Sequence, residues 1–153
     1  MHLQYGVTSF FDIAKGKPPS VDFNSFKNLA YELAREIGVP ILKLESSGAA
    51  HNYFFAALST QENNAILCNA QYPFVTYVAG FEGDAFGFKA YYVEHPLVIS
   101  IVEKSNYFNY VGNDILESKL ESDMLTNLAE SEIQQAKEWG CKSVGELIFN
   151  YWD

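Results

Sequence analysis

The chain has 153 residues, with 19 Asp and Glu against 10 Lys and Arg, a formal net charge of −9 and a hydrophobic share of 48%. That length suits one domain with its own core, and that apolar share is too high for a disordered chain. Such a charge repels polyanions, and Arg35 is the single arginine. Nucleic acid and anionic membranes are therefore poor partners, whereas a basic protein would be steered toward the chain. The same charge would also serve solubility alone.

Aromatic residues make up 16% of the chain, ten Tyr and twelve Phe among them, which favours strands and contact surfaces over a helical bundle. Met1-His2-Leu3-Gln4-Tyr5 has neither a basic start nor an apolar run, so no leader is expected. No apolar stretch approaches the roughly 18 residues of a membrane span. The expected location is the cytoplasm.

In chain order, Leu3 to Phe11 is rich in β-formers and reads as a first strand, broken by Gly16 and Pro18-Pro19. Phe26, Leu29, Ala30, Leu33 and Ile37 recur at helical steps, with Asp22 or Asn24 to start the helix and Gly38 before Pro40 to end it. Strand patterns follow at Ile41 to Glu45, His51 to Leu58, Ala65 to Asn69, Phe74 to Phe81, Phe86 to Val93 and Leu97 to Glu103. The links between them are short, so the strands should be antiparallel neighbours in a meander. Phe86, Phe88, Ala90 and Tyr92 share one face of their strand, which predicts a sheet covered on one side by the first helix.

From Asn113 to Glu138 the chain turns helical and acidic. Ser131-x-x-Gln134 and Ser143-x-x-Glu146 both read as capping boxes, hence two short helices joined by a bend at Gly140. Tyr151 and Trp152 should dock the C-terminal end on the core. The expected fold is a single α+β domain over residues 1–153, a mostly antiparallel sheet of five to seven strands with an N-terminal helix packed on it and C-terminal helices.

Chemistry-bearing motifs are sparse. His51 and His95 are not spaced for a metal, and there is no nucleophile elbow, no C-x-x-C pair and no phosphate-binding glycine pattern. Cys68 reads as a small core residue, although a pair with His51 or His95 is the one nucleophilic alternative. Neither a catalytic site, a cofactor nor a metal is expected. Tyr107-Phe108-Asn109-Tyr110 stands beside Asp114, Glu117, Glu121 and Asp123, and the turn Glu82-Gly83-Asp84 adds two more acids. Aromatics next to carboxylates suit a basic partner. The candidate partner-binding residues are thus Glu82, Asp84, Tyr107, Tyr110, Asp114, Glu117, Glu121 and Asp123. Phe108 and Tyr110 could equally be core residues of a last strand.

The C-terminal run Trp139-Gly140-x-x-Ser143-Val144-Gly145-Glu146-Leu147-Ile148-Phe149-Asn150-Tyr151-Trp152-Asp153 resembles the tail of small bacterial immunity proteins from toxin–immunity loci, including contact-dependent growth inhibition. The likeness covers about fifteen residues, within one capped helix and its flanks. It implies a cytoplasmic protein, not an enzyme, that binds and occludes a cognate toxin, often a basic nuclease. A small-molecule-binding or catalytic domain and a structural or adaptor homodimer remain the alternatives.

Overall fold

Asp22 starts the first regular element. Its Oδ2 accepts from the Ser25 amide at 3.2 Å, and helix α1 runs Phe23–Ile37 until Gly38, at φ 85°, turns the chain out. Phe26, Leu29, Ala30, Leu33 and Ala34 form its buried stripe, the spacing of one helical face. The computed structural model describes residues 2–48, 50–82 and 90–152.

Strands β1 (Ile41–Glu45), β2 (Tyr53–Leu58), β3 (Ala65–Asn69) and β4 (Phe74–Ala79) form the expected antiparallel meander, and β5 (Tyr91–Tyr92) pairs with β4. The pattern read over Phe86 to Val93 falls mostly outside the described residues; Tyr91 and Tyr92 are its described strand. The sixth strand, β6 (Asn109–Tyr110), runs parallel to β4 beside Phe74 and Val75. The outer edge of β4 is thus shared by two short strands. Between them Val93 N–H donates to Tyr77 O at 3.0 Å, and the Tyr110 hydroxyl donates to Val93 O at 3.1 Å.

Three expectations are corrected here. Leu3 to Phe11 is not a strand. Gly6 sits at φ 87° against the Pro18 ring and Ser9 at φ 70°, so the segment coils. Its amides at Gly6 and Thr8 turn inward to the Glu132 carboxylate, at 2.8 and 3.1 Å, instead of pairing with a strand. Leu97 to Glu103 lies inside helix α2 (Pro96–Lys104), where Pro96 opens the first turn and Val98 and Val102, four apart, face the core. The sheet is also covered on both faces. Phe54, Ala56, Ile66, Cys68, Val75 and Tyr77 pack under α1 and α2, while Tyr53, Phe55, Ala65, Leu67 and Val78 pack under the N-terminal segment and the C-terminal helices. Burying each such aromatic or branched side chain contributes about 1.5–3 kcal/mol before the entropy of ordering is subtracted.

The C-terminal cover consists of α3 (Asn113–Leu116), a 3₁₀ turn (Ser122–Leu125), α4 (Glu130–Glu138) and α5 (Val144–Ile148). The Ser143 box is as expected: Ser143 Oγ accepts from Glu146 N–H at 3.3 Å, and Glu146 Oε2 accepts from Ser143 N–H at 3.4 Å. The Ser131 box is not formed. Helix α4 is capped at Ala129, whose amide donates to Glu132 at 3.1 Å, and the Ser131 hydroxyl donates to Phe10 O at 2.6 Å instead. Trp152 is docked with its ring centroid 5.3 Å from that of Phe10, whereas Tyr151 is exposed.

Three buried asparagines tie these layers together. Asn69 donates to Val7 O and Ile148 O at 2.9 and 2.8 Å, and Asn52 accepts from Asn150 N–H at 2.8 Å. Helix α5 comes so close to the sheet that Gly145 has the Tyr92 hydroxyl against it. A Cβ there would also stand 2.9 Å from Leu116 O. Gly145→Ala is expected to destabilise the fold by about 1–3 kcal/mol, because backbone must move to admit the methyl. Urea unfolding reads this directly, and an unchanged midpoint would contradict the packing.

Candidate functional site

The acidic residues of the last third converge only in part. Gly112 leads into α3 with Asp114 Oδ1 and Glu94 Oε1 beside it, 3.0 and 3.2 Å from where its Cβ would be. Glu94 Oε1 also accepts from Asn113 N–H at 3.2 Å, fastening the end of β5 to the start of α3. One helical turn on, Glu117 lies with Glu146 of α5 near the Tyr92 phenol. Burial first, then those two carboxylates, push the Tyr92 hydroxyl well above its ordinary value. Glu94 and Glu103 share the wall of a shallow cleft of about 660 Å³ along α2 with Lys104.

Among the described residues, Glu94, Glu103, Asp114, Glu117 and Glu146 make no ion pair; Lys43–Glu45, at 3.1 Å on β1, lies at the far edge of the sheet. Several carboxylates outside any ion pair on one surface give a negative field that reaches about 8–10 Å at physiological salt before dissolved ions screen it.

Asp114 and Glu117 belong to this surface, and Glu121 and Asp123 follow at and in the 3₁₀ turn, both exposed. Tyr107 is 46% exposed but lies on the α1 side of the sheet, where burial, then Cys68 and Asp22 at the start of α1, raise its hydroxyl. Tyr110 is a structural residue. Its hydroxyl is bonded to Val93 O, and burial above all pushes its pKa up to about 12. Glu82 is exposed beside Leu42, Lys43 and Leu58, at the β1–β2 edge. Asp84 lies outside the described residues. The structure therefore does not bring Glu82 or Tyr107 to the surface around Asp114.

Glu94, Glu103 and Glu146 escaped the sequence reading. Glu94 precedes, and Glu103 ends, a stretch that reads as a strand and is a helix, and the Glu146 capping role hid its position beside α3. Cys68 is fully buried on the α1 face and burial raises its thiol strongly, while His51 packs on Tyr53 and Phe55, on the opposite face. The two cannot form a nucleophilic pair. Among the described residues no group of three His, Cys, Asp or Glu is placed to hold a metal ion, and no helix is long and apolar enough to cross a membrane.

No family model, curated protein or solved structure matches the chain. The surface must be read from its own chemistry.

Proposed function

We propose that this chain is an immunity-type protein that binds a basic protein toxin, a nuclease by preference, and occludes its active site. The observation that supports this most directly is the set of unpaired carboxylates Glu94, Asp114, Glu117 and Glu146 gathered around α3, in a chain carrying a net −9. A cationic nucleic-acid channel is complementary to such a surface, because its lysines and arginines are arranged for phosphates of the same sign. The resemblance of the Trp139 to Asp153 segment points the same way, and a cytoplasmic location goes with it.

Co-expression with the product of the adjacent upstream gene tests the reading. The two should co-purify, and the complex should weaken steeply as salt rises. Reversing Asp114 and Glu117 to lysine together should cut affinity by about 10- to 100-fold, mostly through slower association, while the thermal midpoint stays within a few degrees of the parent. Equal affinity for parent and double variant, or binding indifferent to salt, would remove the acidic surface from the account.

A further inference from the structure

Strand β1 ends the sheet, and among the described residues no strand pairs with its outer side. Its neighbour shows which of its backbone groups lie open. Leu58 N–H donates to Asn64 O at 2.8 Å, toward β3, while Ser59 N–H donates to Pro40 O at 3.0 Å, toward β1. The odd residues of β2 are therefore the ones that bond to β1. Lys43 and Glu45 stand opposite Ala57 and Phe55, so their peptide groups turn inward, and the N–H and C=O of Leu44 turn out. An open pair of this kind is a template for another strand.

The side chains select which strand. Lys43 and Glu45 share the face that carries Phe55, whereas Leu44 lies on the face under α1. Both charged side chains are 40% exposed and meet each other at 3.1 Å, and Glu82 lies near Lys43. Leu42 is the extra residue of a bulge. A bulge and a lysine are devices against edge pairing: the bulge limits the ladder to the residues beyond it, and the lysine rejects an apolar strand. A lysine does not reject a strand that sets a carboxylate opposite it.

Strand β1 carries that carboxylate itself. With a second β1 antiparallel about a two-fold axis through Leu44, the two Leu44 residues exchange both open hydrogen bonds, and each Lys43 falls directly opposite Glu45 of the second copy. An axis through Lys43 would set lysine against lysine, and one through Glu45 carboxylate against carboxylate. Only the register about Leu44 satisfies the open backbone and the charges together.

We propose that two copies of this chain pair through β1, antiparallel about Leu44, and join their sheets into one. One short strand from each side makes a small contact, and each copy carries −9. The dimer is therefore weak, with a Kd on the order of 0.1 mM at physiological salt. Helix α3, held to β5 by the bond from Asn113 to Tyr92 O, lies at the opposite edge of the sheet and stays open on both copies. The proposal does not depend on the function assigned to that surface.

Sedimentation equilibrium of the full chain, from about 10 µM to about 1 mM, should show a monomer–dimer equilibrium. Lys43→Glu and Glu45→Lys each set like charges opposite one another at both pairs, and each should weaken the dimer by about tenfold or more. The double variant, with both signs exchanged, should return to within about threefold of the parent. Thermal midpoints close to that of the parent verify that the monomers are intact, since an exposed ion pair adds little to stability. Exchange of the Leu44 amide should slow as protein concentration rises, while that of the β3 amides stays constant. A chain that is still monomeric at about 1 mM, a dimer that leaves Leu44 exchange unchanged, single variants that pair as well as the parent, or a double variant as weak as the singles each overturns the proposal. None of these measurements needs a toxin, so their failure leaves the proposed function standing.

Discussion

Glu132→Ala should lower the stability of the protein by about 4 kcal/mol and its thermal midpoint by roughly 10 °C. Glu132 is fully buried, and its carboxylate accepts from Gly6 N–H, Thr8 N–H, the Thr8 hydroxyl and Ala129 N–H at 2.8, 3.1, 2.5 and 3.1 Å. Truncation leaves those donors facing an apolar hole. Each buried donor without a partner costs about 1–3 kcal/mol, and the hydroxyl can recover part of that by rotating. The damage should be local before it is global. This carboxylate, together with Asn52 and Asn69 on Val7 O, holds the segment that carries Leu3 and Val7 into the core, so amide exchange at residues 3–10 should accelerate more than in β2 or β3. Glu132→Gln keeps the shape but sets an amide NH₂ against N–H groups, and about half the loss is expected. A Glu132→Ala protein as stable as the parent would refute the anchoring role.

That contact also shows why the segment Leu3 to Phe11 is not the strand its composition suggests. Leu3 to Phe11 carries the composition of a strand, but its amides are claimed by a residue more than a hundred positions away, which no local pattern encodes. Leu97 to Glu103 failed for another reason. Seven apolar-rich residues fit a strand or a buried helix equally well, and Pro96 at the first helical position was the deciding sign. The two-sided sheet was legible but overlooked: Tyr53-Phe54-Phe55-Ala56-Ala57-Leu58 is apolar without alternation, the mark of a strand buried on both faces. Where local and global signals agreed, the reading held. Helix α1 had its cap, its stripe and its terminal glycine in order, and β3 kept both of its expected ends.

The candidate acidic surface was legible to the same degree. Asp114 and Glu117 are close in sequence and share α3 and its end, so proximity carried them. Glu94 and Glu146 join them through the β5–α3 contact and the approach of α5 to Tyr92, both long-range. Tyr107 is only seven residues from Asp114, yet β6 inserts between them and sends the tyrosine to the α1 side. Sequence neighbours on either side of a strand need not share a surface.

Stability should fall steeply once the pH passes about 10, and buried tyrosines are the reason. Burial above all pushes Tyr77 and Tyr110 up from 10.0 to about 12, and pushes Tyr92 further in the same direction. Below pH 10 these phenols keep their protons in both folded and unfolded chains and add no pH dependence. Between pH 10 and 12 the unfolded chain gives up protons that the folded chain retains, so unfolding gains about 1.4 kcal/mol per pH unit for each such tyrosine. Tyr77 and Tyr92 should contribute close to the full slope and Tyr110, less enclosed, a smaller part. Over two units the sum is comparable with the roughly 5–15 kcal/mol that holds a domain together. Urea titrations from about pH 9 to about pH 11 should show a flat midpoint followed by a collapse. Tyr77→Phe should remove about a third of that slope while leaving stability near neutrality almost unchanged. A midpoint that held steady through this range would mean that the phenols titrate in water-filled surroundings, and that the sheet edge at β4, β5 and β6 is open. The same titration bears on the candidate surface, because ionising Tyr92 would set a new negative charge directly beneath Glu117 and Glu146 and drive α3 and α5 from the sheet.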